Sequence, residues 1–88
     1  MNQPYILDDT KTVAEFIKEA IAKTGENITR LMEKNKVKVS DLQDIFGFEY
    51  PQAIYKWKRG ECLPTVDNLI ILATVFKTTV DKIIVTKY

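Results

Sequence analysis

An all-α domain is predicted by three features of this 88-residue chain. Apolar residues recur three and four positions apart in every long segment, the spacing that lines one face of a helix. Those segments open on Ser, Thr or Pro and close on Gly or a polar run, the usual helix punctuation. No segment alternates apolar and polar residues as a half-buried strand would, apart from the tail at 85–88. The length suits one domain, and 45% hydrophobic with 28% charged residues is the balance of a globular protein rather than a disordered one.

The elements follow in order. Residues 1–9 read as a loose arm. Thr12 can cap a helix carrying Val13, Phe16, Ile17, Ala20 and Ile21 at helical spacing, which Gly25 is expected to end or interrupt. A second stretch places Ile28, Leu31 and Met32 on one face and dissolves in Lys34-Asn35-Lys36. Ser40 is the expected N-cap of a short helix, with Asp41 favoured in its first turn by the helix dipole and Leu42, Ile45 and Phe46 pointing inward. Gly47 is its expected stop, because a left-handed residue costs glycine nothing. Pro51 suits the first position of the next helix and forces Tyr50 out of helical geometry, so a helix is predicted over 51–59, halted by Gly60. Thr65 caps a helix bearing Leu69, Leu72, Ala73 and Phe76. Thr78 or Thr79 caps a last one with Val80, Ile83 and Ile84, and 85–88 either frays or extends as a strand.

The formal charge of +1 hides a segregated distribution. The segment 41–49 holds Asp41, Asp44 and Glu49 with no base, whereas 50–60 holds Lys56, Lys58 and Arg59 with no acid. A local cationic face therefore needs no basic protein around it. With no histidine, no paired carboxylates in an evident cleft and no phosphate-binding glycine loop, an enzyme is not expected. The lone Cys62 has no second thiol for a disulfide or a metal cluster, so no metal or cofactor is expected, and a reducing compartment fits. No apolar run approaches membrane-spanning length and the start lacks the features of a leader, which makes the cytoplasm the expected location, without a membrane partner. No small-molecule ligand is evident.

The centre of the chain is helix, glycine turn, helix, the arrangement of a helix-turn-helix unit. On a wheel at about 100° per residue with Ile54 at zero, Trp57 and Pro51 flank it within about 60°, while Gln52, Lys56 and Arg59 cluster at about 140–200°. Tyr55 stands at the edge of that outer face. Glutamine can pair with adenine N6 and N7 in the major groove, and Arg or Lys with guanine O6 and N7. Gln52, Tyr55, Lys56 and Arg59 are therefore the expected base contacts. Lys58 is an expected phosphate contact, which positions the protein without specifying sequence.

Leu42 and Gly47 around the turn, then Ile54, Trp57, Arg59, Gly60 and Pro64, form an apolar-x-x-Trp-x-x-Gly-x-x-x-Pro pattern, followed by "TVDNLIILATVF" and "TTVDKII". On these marks residues 27–85 resemble the phage-repressor-type (XRE) helix-turn-helix family of bacterial and phage DNA-binding regulators. The resemblance implies a compact five-helix repressor-like domain, here with an extra N-terminal helix. It divides the chain into an arm and helix for packing or dimerisation (1–24) and a DNA-binding domain (25–88). It further implies a core on Leu42, Gly47, Ile54, Trp57, Leu69 and Phe76, with Lys38, Ser40, Thr65 and Asn68 at helix starts on phosphates. Departures from the family pattern are Gln43 for a small alanine, Val39 for a polar residue, one extra residue between Gly47 and Trp57, and Lys77 for a glycine.

The expected function is sequence-specific binding of double-stranded DNA by a transcriptional regulator, with repression as the sign. A homodimer on a pseudo-palindrome is expected, its half-sites about 34 Å apart. The N-terminal helix, the last helix or the tail from Ile83 to Tyr88 would supply the interface. The alternatives are an antitoxin-type DNA-binding protein with a toxin partner, and a protein-interaction module on the same fold.

Overall fold

Gly25 lies inside a single helix, not at the end of one. In the computed structural model, which describes residues 12–86, α1 runs unbroken over Val13–Lys34. A glycine weakens a helix by about 1 kcal/mol relative to alanine without breaking it. Tertiary packing supplies the reason for it here. A β-carbon at position 25 would stand 2.4 Å from the Trp57 carbonyl oxygen and 3.0 Å from the Gly60 nitrogen. The two predicted N-terminal helices are thus one, and it passes straight through the 24/25 division of the chain. The arm at 1–9 and residues 87 and 88 lie outside the described residues.

Four further helices complete an all-α fold: α2 (Val39–Phe46), α3 (Gln52–Lys58), α4 (Val66–Val75) and α5 (Val80–Ile83). No strand occurs among the described residues, and Val85 and Thr86 are irregular. The core gathers Ile28, Leu42, Ile54, Leu72 and Ile83, all fully buried, with Leu31, Met32, Trp57, Leu69, Ala73 and Phe76 around them. Of the six residues on which the resemblance places the core, Leu42, Ile54, Trp57, Leu69 and Phe76 are buried and Gly47 is exposed. Ile45 also faces solvent, because Leu42 and Phe46, one turn apart, already define the inward line of an eight-residue helix.

The ends of α1 to α4 are closed by one repeated device. Gly47 (φ 71°), Gly60 (φ 72°), Lys36 (φ 57°) and Lys77 (φ 56°) all adopt the left-handed conformation. After each, an N–H returns to a carbonyl five residues back: Phe48 to Gln43 (3.0 Å), Glu61 to Lys56 (2.9 Å), Val37 to Met32 (2.8 Å) and Thr78 to Ala73 (2.9 Å). That is the Schellman closure, which satisfies carbonyls the helix leaves without partners. Lys77 fills a glycine's conformational role without being one.

Helix starts are more varied. Thr12 and Glu15 form a reciprocal capping box at α1. α2 begins two residues earlier than expected: Lys38, not Ser40, is the N-cap, and its N–H donates to Asp41 Oδ2 (2.8 Å). Thr65 caps α4, its hydroxyl accepting from the Asn68 N–H (3.3 Å). Two side chains of α1 tie down the C-terminal segment. Asn27 Nδ2 donates to the carbonyls of Lys82 (2.8 Å) and Ile83 (2.9 Å), and the buried Thr24 hydroxyl accepts from the Val85 N–H (2.9 Å).

Candidate nucleic-acid interface

The turn between α2 and α3 has a scaffold of its own. Phe46 and Phe48 stack with ring centroids 5.0 Å apart, and each meets the Trp57 ring edge-on, at 5.6 and 6.2 Å. Such pairings add about 0.5–1.5 kcal/mol each beyond the area they bury. Gln43 Nε2 donates to the Glu49 carbonyl across the turn (3.1 Å). Gln43 therefore fastens the turn from the α2 side.

Pro51 stands just outside α3, as N-cap with φ −87° and ψ 6°, and Arg59 just beyond it as C-cap; the predicted span 51–59 shrinks by one residue at each end. Ile54 and Trp57 are buried beneath. Gln52, Tyr55, Lys56 and Arg59 are all exposed on the outer side, as the wheel requires. Tyr50, before the helix, is 62% exposed. Lys58 is half-buried and its Nζ lies 6.0 Å from the centroid of the Tyr55 ring, within cation–π range. The α1–α3 crossing at Gly25 fixes this short helix from behind. Gly60 also packs closely against α1, since a β-carbon on it would stand 2.8 Å from Ala22 Cα.

One carboxylate reaches this face. Arg59 Nε donates to Glu61 Oε2, an ion pair between side chains that are 57% and 48% exposed. The hydrogen bond from Arg59 holds the Glu61 carboxyl below the usual carboxylate range, assisted by the nearby charges of Arg59 and Lys56, and the same bond raises the Arg59 guanidinium. The segment 50–60 lacks acids, but the surface it forms does not. Sequence reasoning missed Glu61 because the chain reverses at Gly60; an opposite charge two residues beyond Arg59, across a glycine, was the available signal.

The phosphate candidates are distributed over other elements. Lys38 and Ser40 are exposed at the start of α2, where Asp41 already accepts the Lys38 N–H. Thr65 is exposed and Asn68 half-buried at the start of α4, with Asp67 in the same turn. The sequence also left an apolar surface unremarked: Val66 (69% exposed), Ile70 (54%) and Ile71 on α4, and Leu63 before it. Val66 and Ile70 stand one turn apart, on the outside of a helix that is apolar nearly all round. Cys62 is a free, exposed thiol in the same loop. No described helix is long and apolar enough to cross a membrane. No family model matches the chain, and no solved structure gives a significant match to it.

Proposed function

We propose that the chain is a sequence-specific DNA-binding regulator of the phage-repressor (XRE) type, acting in the cytoplasm as a repressor. The observation that carries this reading is the outer face of α3, where Gln52, Lys56 and Arg59 are exposed together above a buried Ile54 and Trp57. With α3 in the major groove, the Gln52 amide pairs with adenine N6 and N7, and the cations pair with guanine O6 and N7. Lys38, Ser40, Lys58, Thr65 and Asn68 contact phosphates and set the pose. Repression follows from occupancy of the site, and a homodimer reads two half-sites about 34 Å apart.

Selection of duplexes from a random pool by the purified protein tests this. A recovered motif with two related half-sites supports it. A pool that stays random while the protein stays folded overturns it.

A second reading has its own observation. The exposed apolar strip of Val66, Ile70 and Ile71 favours a protein partner, as in an antitoxin or an interaction module. Salt dependence separates the readings. For DNA binding, log K falls with log salt at about −0.9 per phosphate neutralised, whereas apolar docking is nearly flat.

A further inference from the structure

We propose that Glu61 is a positioning residue for base reading: its carboxylate holds Arg59 so that the two terminal nitrogens of the guanidinium present a paired donor edge matched to guanine O6 and N7. The inference rests on the DNA-binding reading above.

Arg59 keeps helical geometry (φ −81°, ψ −4°) although it lies one residue past α3, so its side chain leaves the helix on the side of Gln52 and Lys56. Gly60 then turns left-handed, and the Glu61 N–H returns to the Lys56 carbonyl (2.9 Å). That backbone bond brings Glu61 back beneath the end of the helix. Its carboxylate takes the Nε proton of Arg59 and lies close enough to Lys56 to feel its charge. A guanidinium carries five N–H donors in a rigid plane. With Nε occupied, the four protons on Nη1 and Nη2 remain, and the plane's orientation is set. A long, otherwise free side chain loses much rotamer entropy when it binds, and fixing it beforehand removes part of that cost.

A carboxylate beside a DNA-facing arginine also repels phosphate. If charge neutralisation were its whole effect, removing it would strengthen binding to every duplex by one factor. Positioning makes a different forecast, because orientation matters only where a base edge is read.

The test compares wild type, Glu61→Ala, Arg59→Ala and the double variant. Each is taken through parallel selection from random duplexes and then titrated on the wild-type motif with each base pair varied. Circular dichroism verifies that all four are folded. Wild type is expected to prefer guanine at one position of each half-site by roughly tenfold or more. Glu61→Ala and Arg59→Ala should both lose that preference and keep the others, and the double variant should lose no more than either single one. Glu61→Ala should meanwhile bind non-specific DNA more tightly. A Glu61→Ala protein that keeps every positional preference, or shifts all duplexes equally, overturns the inference while leaving the parent reading intact. A wild-type protein that selects no motif overturns both.

Discussion

The carbonyl oxygen of Trp57 lies where a β-carbon on Gly25 would have to stand, 2.4 Å away. This contact joins the middle of α1 to the end of α3 and sets the plane from which Gln52, Lys56 and Arg59 project. Gly25→Ala should therefore destabilise the fold by about 3 kcal/mol, since a backbone carbonyl, unlike a flexible side chain, has little room to yield. In an exposed helix the same change would stabilise by about 1 kcal/mol. Urea unfolding measures the sign directly, and a stabilised variant would mean that the crossing is looser than described.

Lys36 and Lys77 occupy left-handed positions that cost an L-residue with a side chain about 1 kcal/mol or more. Lys36→Gly and Lys77→Gly should each raise stability by about 0.5–1 kcal/mol, the relief of strain being partly offset by glycine's greater freedom in the unfolded chain. Thermal melts read the gain. Gly47→Ala runs the other way, with open space around the position and only the backbone conformation to penalise it, at about 1 kcal/mol.

The C-terminal segment is held by α1 through Thr24 and Asn27. Thr24→Val keeps the shape but leaves the Val85 N–H without its acceptor, at a cost of about 1–2 kcal/mol. Hydrogen exchange at Val85 should accelerate in that variant, and exchange at Leu42, in the core, should follow only the global loss. Unchanged exchange at Val85 would contradict the hydrogen bond.

The Glu61 carboxyl should titrate below the ordinary glutamate range and move up in Arg59→Ala, because the hydrogen bond from Arg59 is the largest cause of its depression. A depressed carboxyl pKa contributes stability above the unfolded-state value and loses it as pH falls through the folded one. Both side chains are solvent-exposed, so the stability consequence is screened. Carbon-detected NMR titration of Glu61 is the measurement, and an identical titration in the variant would dissolve the pair.

Much of this architecture was legible in the residues. Helical spacing placed Leu42, Ile54, Trp57, Leu69 and Phe76 in the core, and Thr12 and Thr65 announced their caps by type and position. What escaped depended on contacts between distant parts of the chain. Gly25 looks like a stop until Trp57 is seen behind it, and Ile45 looks buried until Leu42 and Phe46 are seen to fill the inward line. Of the proposed interface, the exposed strip on α3 follows from periodicity alone. Glu61 and Gln43 do not, because a turn brings each to a partner that spacing along one helix never pairs: Glu61 back to Arg59, Gln43 across to Glu49.

The outer face of α3 is tested most directly by the affinity ratio between a selected duplex and a scrambled one, for wild type and for Gln52→Ala/Lys56→Ala. Wild type should favour the selected duplex by about a thousandfold or more. Loss of two base-reading side chains should cut that ratio by about thirtyfold or more. Equal ratios in a folded double variant would contradict the assignment of sequence reading to this helix.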